Sequence, residues 1–485
     1  MDRWLPRDPP PGNAVALPAP ARRPGVWLFP LGALLLGLAV YGYITAIIVP
    51  QQVDYGRTHN VPRGNLSDLY PRWYGTYERL WHGRDPYSAA VTQEIQVGYY
   101  GRLLTPADTV KDQQGFAYPL YVVFLLAPLT LLPFSLVQPL FGLLLLILTA
   151  LAVLLWLGAL RWRLPAPAAA AACLLVVGSW PALQAWSLEQ LTALVAALLA
   201  AAAYCLTRGA GPPTGERETP PGGATGWYVA AGALLAVATI KPQITVLLVA
   251  GLVLWAGGAW RARQAAAWGF LGTLALLVGG ALLLQPTWIG DFRAALSAYA
   301  QYTHGESLLL SFARAGLGGV APGLAEPLTD LGTAVLSVVA LIVWWRGRQA
   351  PAGSFVFARA LALTLAVTLL IIPTWAPYNQ LILVPAALLL ARHWPALQAT
   401  GRRWVRWLWM VAAVMLTWPA VLSVVLMIWL ALTLAGGAGC CAAPIYQPGA
   451  SVLPVITSLF APWAVLAALA GLWTIDGRPQ TADDR

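Results

Sequence analysis

Apolar runs recur along the whole chain, near 27–49, 118–133, 135–160, 167–180, 186–207, 227–240, 242–260, 264–284, 330–345, 355–372, 376–391, 405–434 and 451–473. Most are close to the length of about 20 residues that carries a helix across a hydrocarbon core of about 30 Å. They are continuous, as in 143–157, and do not alternate as the strands of a membrane barrel would. The pattern predicts an all-α polytopic membrane protein.

Composition agrees: 59% of the 485 residues are hydrophobic and 10% are charged, whereas soluble domains carry about 25% charged residues. The formal net charge of +10 comes from basic residues concentrated in short connections, which reads as topology and not as nucleic-acid binding. Of 27 arginines, 18 fall on one side: the N-terminus, Arg161/Arg163, Arg208/Arg217, Arg261/Arg263, Arg346/Arg348, the group from Arg392 to Arg406, and the C-terminal tail. That side is expected to be cytoplasmic, with both termini on it. The opposite face collects the loops 50–117, 285–329 and 436–450 and the turns 179–190, 239–243 and 373–380. Thirteen runs do not close this topology, so either 118–133 or 167–180 is expected to be a half-helix, leaving about 12 spans. The chain then divides into a disordered tail 1–24, a first membrane part 25–207, a flexible Gly/Pro linker 208–226, a second membrane part 227–475 and a tail 476–485. The N-terminus reads as a retained anchor in the cell membrane and not as a cleaved signal.

Cys173 and Cys205 lie in apolar runs, Cys440 and Cys441 are adjacent, and four histidines are scattered. No disulfide framework or metal-ligand spacing follows, and no metal or other cofactor is expected. Nor is there a phosphate-cradling glycine loop or a nucleophile elbow.

Candidate chemistry gathers on the outer face. Seven of the 19 acids sit in loop 50–117, balanced by seven bases. Within it, SDLYPRWYGTYERLWHGRDPY predicts a helix capped by Ser67 and stopped by Gly83. Tyr70, Trp73, Tyr74, Tyr77 and Trp81 share one face, suited to the membrane interface or, for Trp73 and Tyr77, to stacking on a sugar. Asp68 stands in the first turn, where the helix dipole favours an acid, and Asp85 follows the stop. Lys241, one of two lysines, interrupts apolar sequence on the same face, where a lone ammonium suits a phosphate. Glu189 and Gln190 form a second polar break, and Trp375, Tyr378 and Asn379 a third. Loop 285–329 adds Arg293 and Arg314, with an interfacial helix expected over Trp288–Thr303.

The pattern Asp68-Leu-x-x-x-Trp73, Gly83-Arg-Asp-Pro-Tyr87 and Phe116-Ala-Tyr118-Pro, with Leu-Ala-Pro128 and Leu-Pro133, resembles glycosyltransferase family 87. So do Ile240-Lys-Pro242, Pro373-Thr-Trp375, and Glu189-Gln190 where that family tends to have Gly-Gln. The likeness spans roughly 27–392. It implies a C-type glycosyltransferase-like bundle with interfacial helices in the first outer loop. It also implies a polyprenyl-phosphate sugar as donor, mannose as the expected sugar, a lipid or glycan acceptor, and Asp68 as catalytic base. Ala376, Pro377 and Tyr378 stand where members often carry histidine.

The layout fits such chemistry independently. Asp68 is placed to take the acceptor's proton, and Lys241, helped by Arg293 or Arg314, to hold the departing phosphate, with Gln190, Glu189, Tyr118 and Asn379 as further contacts. The competing reading is a transporter or flippase for an anionic or lipid-linked solute.

Overall fold

The computed structural model describes residues 27–59, 66–108, 110–211, 221–303, 305–399, 401–435 and 453–474. Every regular element among them is helical. The two tails, residues 212–220 of the linker, Cys440, Cys441 and loop 436–450 lie outside the described residues.

Seven of the described helices are long and apolar enough to cross a membrane, eight if a bent pair counts as one span. They are Leu28–Thr58, Phe134–Ala159, Leu191–Gly209, Trp260–Leu284, Pro322–Arg346, Arg403–Ala435 and Leu453–Thr474, and the pair is Ala166–Val177 with Trp180–Ser187, bent by 56°. Pro221–Ala238, Pro242–Gly258 and Phe355–Ile371 are shorter apolar helices packed among them. Of the two doubtful runs, Val122–Leu131 is the shorter, ten residues against twelve in Ala166–Val177. Its ten residues change from α to 3-10 geometry at Ala127, giving a length of roughly 15–20 Å, well short of a bilayer core.

The first helix continues through a π turn at Ile44–Ile48 to Thr58, past the end of its apolar pattern near 49. The helix expected to begin after the linker instead starts at Pro221, inside the stretch read as flexible; proline suits a first turn because the N–H it lacks has no helical partner there. The run 376–391 is split into a 3-10 turn, Pro377–Leu383, and a short helix, Val384–Arg392.

The centre is Phe355–Ile371, buried on every side from Phe357 to Leu370, as a helix apolar all round should be. Leu191–Gly209 packs against Phe134–Ala159 and Pro221–Ala238, with alanines at 193, 196, 197, 200, 202 and 203 giving neighbouring helices close access. Large apolar side chains point outward from Trp260–Leu284 and Arg403–Ala435, among them Trp268, Leu276, Leu283, Trp407 and Leu432, as lipid-facing positions require.

Small residues set the tightest crossing, where Pro221–Ala238 meets Trp260–Leu284. A Cβ on Gly232 would stand 2.1 Å from the Ala266 carbonyl oxygen, and one on Gly269 would stand 2.4 Å from that of Val229. Gly232→Ala should therefore push these helices apart and lower the thermal midpoint in detergent, at a cost of about 1–3 kcal/mol. Gly272, on the partner helix Trp260–Leu284 with open space around it, is the control. Equal midpoints for the two alanine variants would mean that the crossing is not tight.

The loop expected over 50–117 forms two helices, Leu69–His82 and Ala89–Tyr100. The first ends at Gly83 with φ +67°, as expected. Its start differs, because Ser67 does not cap: Asp68 occupies the N-cap without a side-chain bond, and the Ser67 hydroxyl is used elsewhere. Trp73 is buried, donates to the Leu129 carbonyl at 3.0 Å, stacks on Tyr77 and packs against Phe134. That fixes this helix to the short Val122–Leu131 segment.

Candidate active site

Three breaks in the helical bundle place the polar groups. At the first, Trp180–Ser187 ends as Gln190 N–H bonds Ala185 C=O at 2.8 Å and Glu189 N–H bonds Trp186 C=O at 3.1 Å. This double bond leaves Glu189 left-handed, φ +51°, where helix ends normally carry glycine. At the second, Lys241 stands in the turn between Ala238 and Pro242, outside both flanking helices. Tyr121 Oη ties that turn down through Thr239. At the third, the 3-10 turn Pro377–Leu383 carries Tyr378 and Asn379, and Tyr378 N–H bonds Gln184 Oε1 at 3.0 Å.

These breaks meet the start of Leu69–His82. Gln190 Nε2 donates to Asp68 Oδ2, and Lys241 Nζ donates to Gln190 Oε1 at 3.0 Å. One amide thus bridges a carboxylate to an ammonium. Lys241 also donates to Thr192 Oγ1 at 2.7 Å, and Thr192 donates to Asn379 Oδ1 at 3.1 Å. The Nζ lies 5.2 Å from the Tyr378 ring centroid and 5.9 Å from that of Tyr118. An ammonium has three N–H groups, so these two bonds leave one for a ligand oxygen. Arg72, one helical turn after Asp68, bonds the Asp68 carbonyl and places its guanidinium 4.9 Å from the Tyr118 ring. Tyr99, Tyr299, Tyr378 and Asp112 are close enough to Asp68 and Arg72 to feel their charges.

Burial governs the electrostatics. Lys241 is 5% exposed, and burial pulls its ammonium down to about 7, with Arg72 adding to the effect and Asp68 opposing it. Burial pushes the Glu189 carboxyl up to about 7; the Ser67 bond opposes this and the Asp68 charge adds to it. Asp68 itself is half-buried.

Asp68, Gln190, Lys241, Tyr118, Tyr378 and Asn379, all expected from the sequence, are therefore brought together. Glu189 is adjacent, with its carboxyl turned onto Ser67 Oγ. Trp73 and Tyr77 serve the packing described above. Asp85 belongs to a second cluster: it accepts from Gln285 Nε2 at 2.8 Å and from Tyr87 N–H at 2.9 Å, and the same Nε2 donates to Asp291. That cluster pins the loop after Leu69–His82 to Trp288–Thr303, a helix found with the expected bounds. Arg293 is exposed on it, and Arg314 pairs with Glu306 and Glu326. The second cation near Lys241 is thus Arg72, where the sequence suggested Arg293 or Arg314. Trp375 is tied by its backbone N–H to the Glu306 carbonyl at 3.1 Å. Arg72 and Thr192 escaped the sequence reading, although Arg72 lies four residues after Asp68, the spacing that shares a helix face. Among the described residues, no group of three or more His, Cys, Asp or Glu is placed to hold a metal ion.

A multi-pass helical membrane protein that joins a carboxylate and a buried ammonium through one amide, beside a guanidinium and several tyrosines, has the makings of a group-transfer enzyme. The family model for glycosyltransferase family 87 matches residues 116–373, more than half of the chain, and the protein belongs to that family. It is a membrane glycosyltransferase, which decides for transfer over transport. The matched region holds Tyr118, Glu189, Gln190 and Lys241, while Asp68 and Arg72 precede it. No curated protein and no solved structure matches the chain.

Proposed function

We propose that the enzyme moves a sugar, mannose being the expected one, from a polyprenyl-phosphate donor to a lipid or glycan acceptor at the outer face of the cell membrane. The observation that carries this reading is the Gln190 bridge, which puts a base and a buried cation on opposite ends of one amide. The acceptor hydroxyl oxygen attacks the anomeric carbon, its proton passes to the Asp68 carboxylate, and the carbon–oxygen bond to phosphate breaks with its electron pair going to the phosphate. Lys241 and Arg72 meet the charge that grows there. A single in-line displacement inverts the anomeric centre and needs one carboxylate, unlike the paired carboxylates of glycosidases.

The same reading assigns 12 crossings in a C-type glycosyltransferase-like bundle, with Val122–Leu131 as the half-helix and both described ends of the chain on the arginine-rich side. Asp68, Lys241 and the third break then share the outer face.

Purified protein in nanodiscs should transfer label from a short-chain polyprenyl-phosphate mannose, and not from a nucleotide sugar, giving a product of inverted configuration. A retained configuration, or activity with the nucleotide sugar alone, would exclude this mechanism.

A further inference from the structure

We propose that Glu189 is a positioning residue for the Asp68 base: from a left-handed backbone at the helix end, its carboxyl clamps the Ser67–Asp68 backbone to the 188–190 turn. This inference rests on the reading of Asp68 given above.

The double hydrogen bond that ends Trp180–Ser187 needs a left-handed residue at position 189 and is ordinarily satisfied by glycine. The chain makes that choice elsewhere. Leu69–His82 also ends on a left-handed residue, there Gly83, with the N–H groups of Gly83 and Arg84 both on the Glu78 carbonyl. A side chain at such a position is strained and persists where the surroundings use it. Arg161 is a second instance: it is left-handed at φ +52°, and its guanidinium bonds the Thr207 and Gly211 carbonyls across the helix interface.

Glu189 has an equally definite use. Its Oε2 accepts from Ser67 Oγ, and its Oε1 reaches toward Gly142, on a helix that offers no charged group there. The neighbouring backbone carries a parallel tie, Asp68 N–H to Leu188 C=O at 3.0 Å. With Gln190 on the Asp68 carboxylate, three successive residues, 188 to 190, hold backbone, preceding side chain and carboxylate of the same pair. Two of these ties would survive glycine at 189. The third, from the Ser67 hydroxyl, depends on the glutamate and fixes the residue from which the Asp68 side chain departs. Its burial, which favours the neutral acid, limits any second negative charge beside the base.

The test is Glu189→Gly, with Ser67→Ala and Glu189→Gln beside it. Glu189→Gly relieves the left-handed strain and removes a buried carboxyl, so its thermal midpoint should rise. Its kcat should fall by about tenfold or more, up to ~10²-fold, with donor KM changed by less than about threefold, because misplacing a reacting group acts on the chemical step. Glu189→Gln keeps an acceptor for Ser67 and should recover most of the lost turnover. Ser67→Ala should reproduce the loss, and the double variant with Glu189→Gly should be no slower than either single one. Wild-type kcat in Glu189→Gly, failure of Gln to rescue, or additive losses in the double variant would each overturn the clamp. Asp68→Asn in the same assay separates the two failures: if it stays active, the assignment of the base has failed; if it is inactive while Glu189→Gly is fully active, only the clamp has.

Discussion

Asp68→Asn should abolish transfer while leaving the protein folded, with a thermal midpoint close to wild type. Asparagine has nearly the same shape, and its carbonyl can still accept the Gln190 amide N–H that now bonds Asp68 Oδ2. The backbone tie from residue 68 to the Leu188 carbonyl does not involve the side chain and is kept. What the amide cannot do is take a proton from the acceptor hydroxyl, and positioned general bases contribute about 10²–10⁴ in rate. The loss should appear in kcat, with donor KM little changed, because the groups meeting the phosphate are untouched. Asp85→Asn is the matched control. Asp85 accepts from Gln285 and from the Tyr87 N–H, so its loss should weaken the joint between the loop after Leu69–His82 and Trp288–Thr303 and cost less activity than Asp68→Asn. Turnover in Asp68→Asn within a few-fold of wild type would reduce Asp68 to a helix-end acid and move the search for the base to Asp112 or Glu189, the carboxyls that share its electrostatic surroundings.

The bundle was largely legible because a membrane imposes one period and one length. Runs of apolar residues located the seven long apolar helices, and the helix Trp288–Thr303 was found with its expected ends. Places where geometry departs from a straight α-helix were less legible. The π turn at Ile44–Ile48 has apolar composition like its surroundings, so no contrast in the sequence marks it, and the polar residues 378–380 marked a break at Pro377–Leu383 without disclosing its 3-10 geometry. The site was visible as three separate polar breaks. Their meeting was not, since the Asp68–Gln190 contact joins residues 122 apart and the Lys241–Gln190 contact residues 51 apart. Arg314 was expected to help Lys241 hold the departing phosphate, yet Glu306 and Glu326 pair with it locally. Thr192 carried no signal, being one more small residue in an alanine-rich helix until Lys241 is placed against it.

Lys241→Met should weaken donor binding by roughly ten- to a hundredfold, the equivalent of about 1.5–3 kcal/mol for one charge-assisted contact to an ionised group. Methionine keeps most of the apolar stem, so the helices around the turn should still pack. The Gln190 carbonyl loses its donor, while Thr192 keeps its bond to Asn379. The same variant should lose a pH dependence that the wild type possesses. Burial chiefly, and Arg72 secondarily, bring the Lys241 ammonium down to about 7 against the attraction of Asp68. The free enzyme therefore carries the charge below pH 7 and sheds it as the pH rises through that value. A phosphate is bound well only by the charged form, so apparent donor affinity should fall above pH 7 in the wild type and stay flat there in Lys241→Met. Stability should move the other way. Between about 7 and the ordinary lysine value, the unfolded chain holds a proton that the folded one has released, so this residue's contribution to stability improves with rising pH, and the methionine variant should lack that slope. Lys241→Arg should restore only part of the affinity, because a planar fork cannot occupy the point between Gln190 Oε1, Thr192 Oγ1 and the two tyrosine rings that the compact ammonium fills. Transfer measured against donor concentration at pH 6.5 and 8.5 decides the matter: equal donor affinity in wild type and Lys241→Met at both values would leave Lys241 as a staple between Leu191–Gly209 and Pro242–Gly258, with no part in holding phosphate.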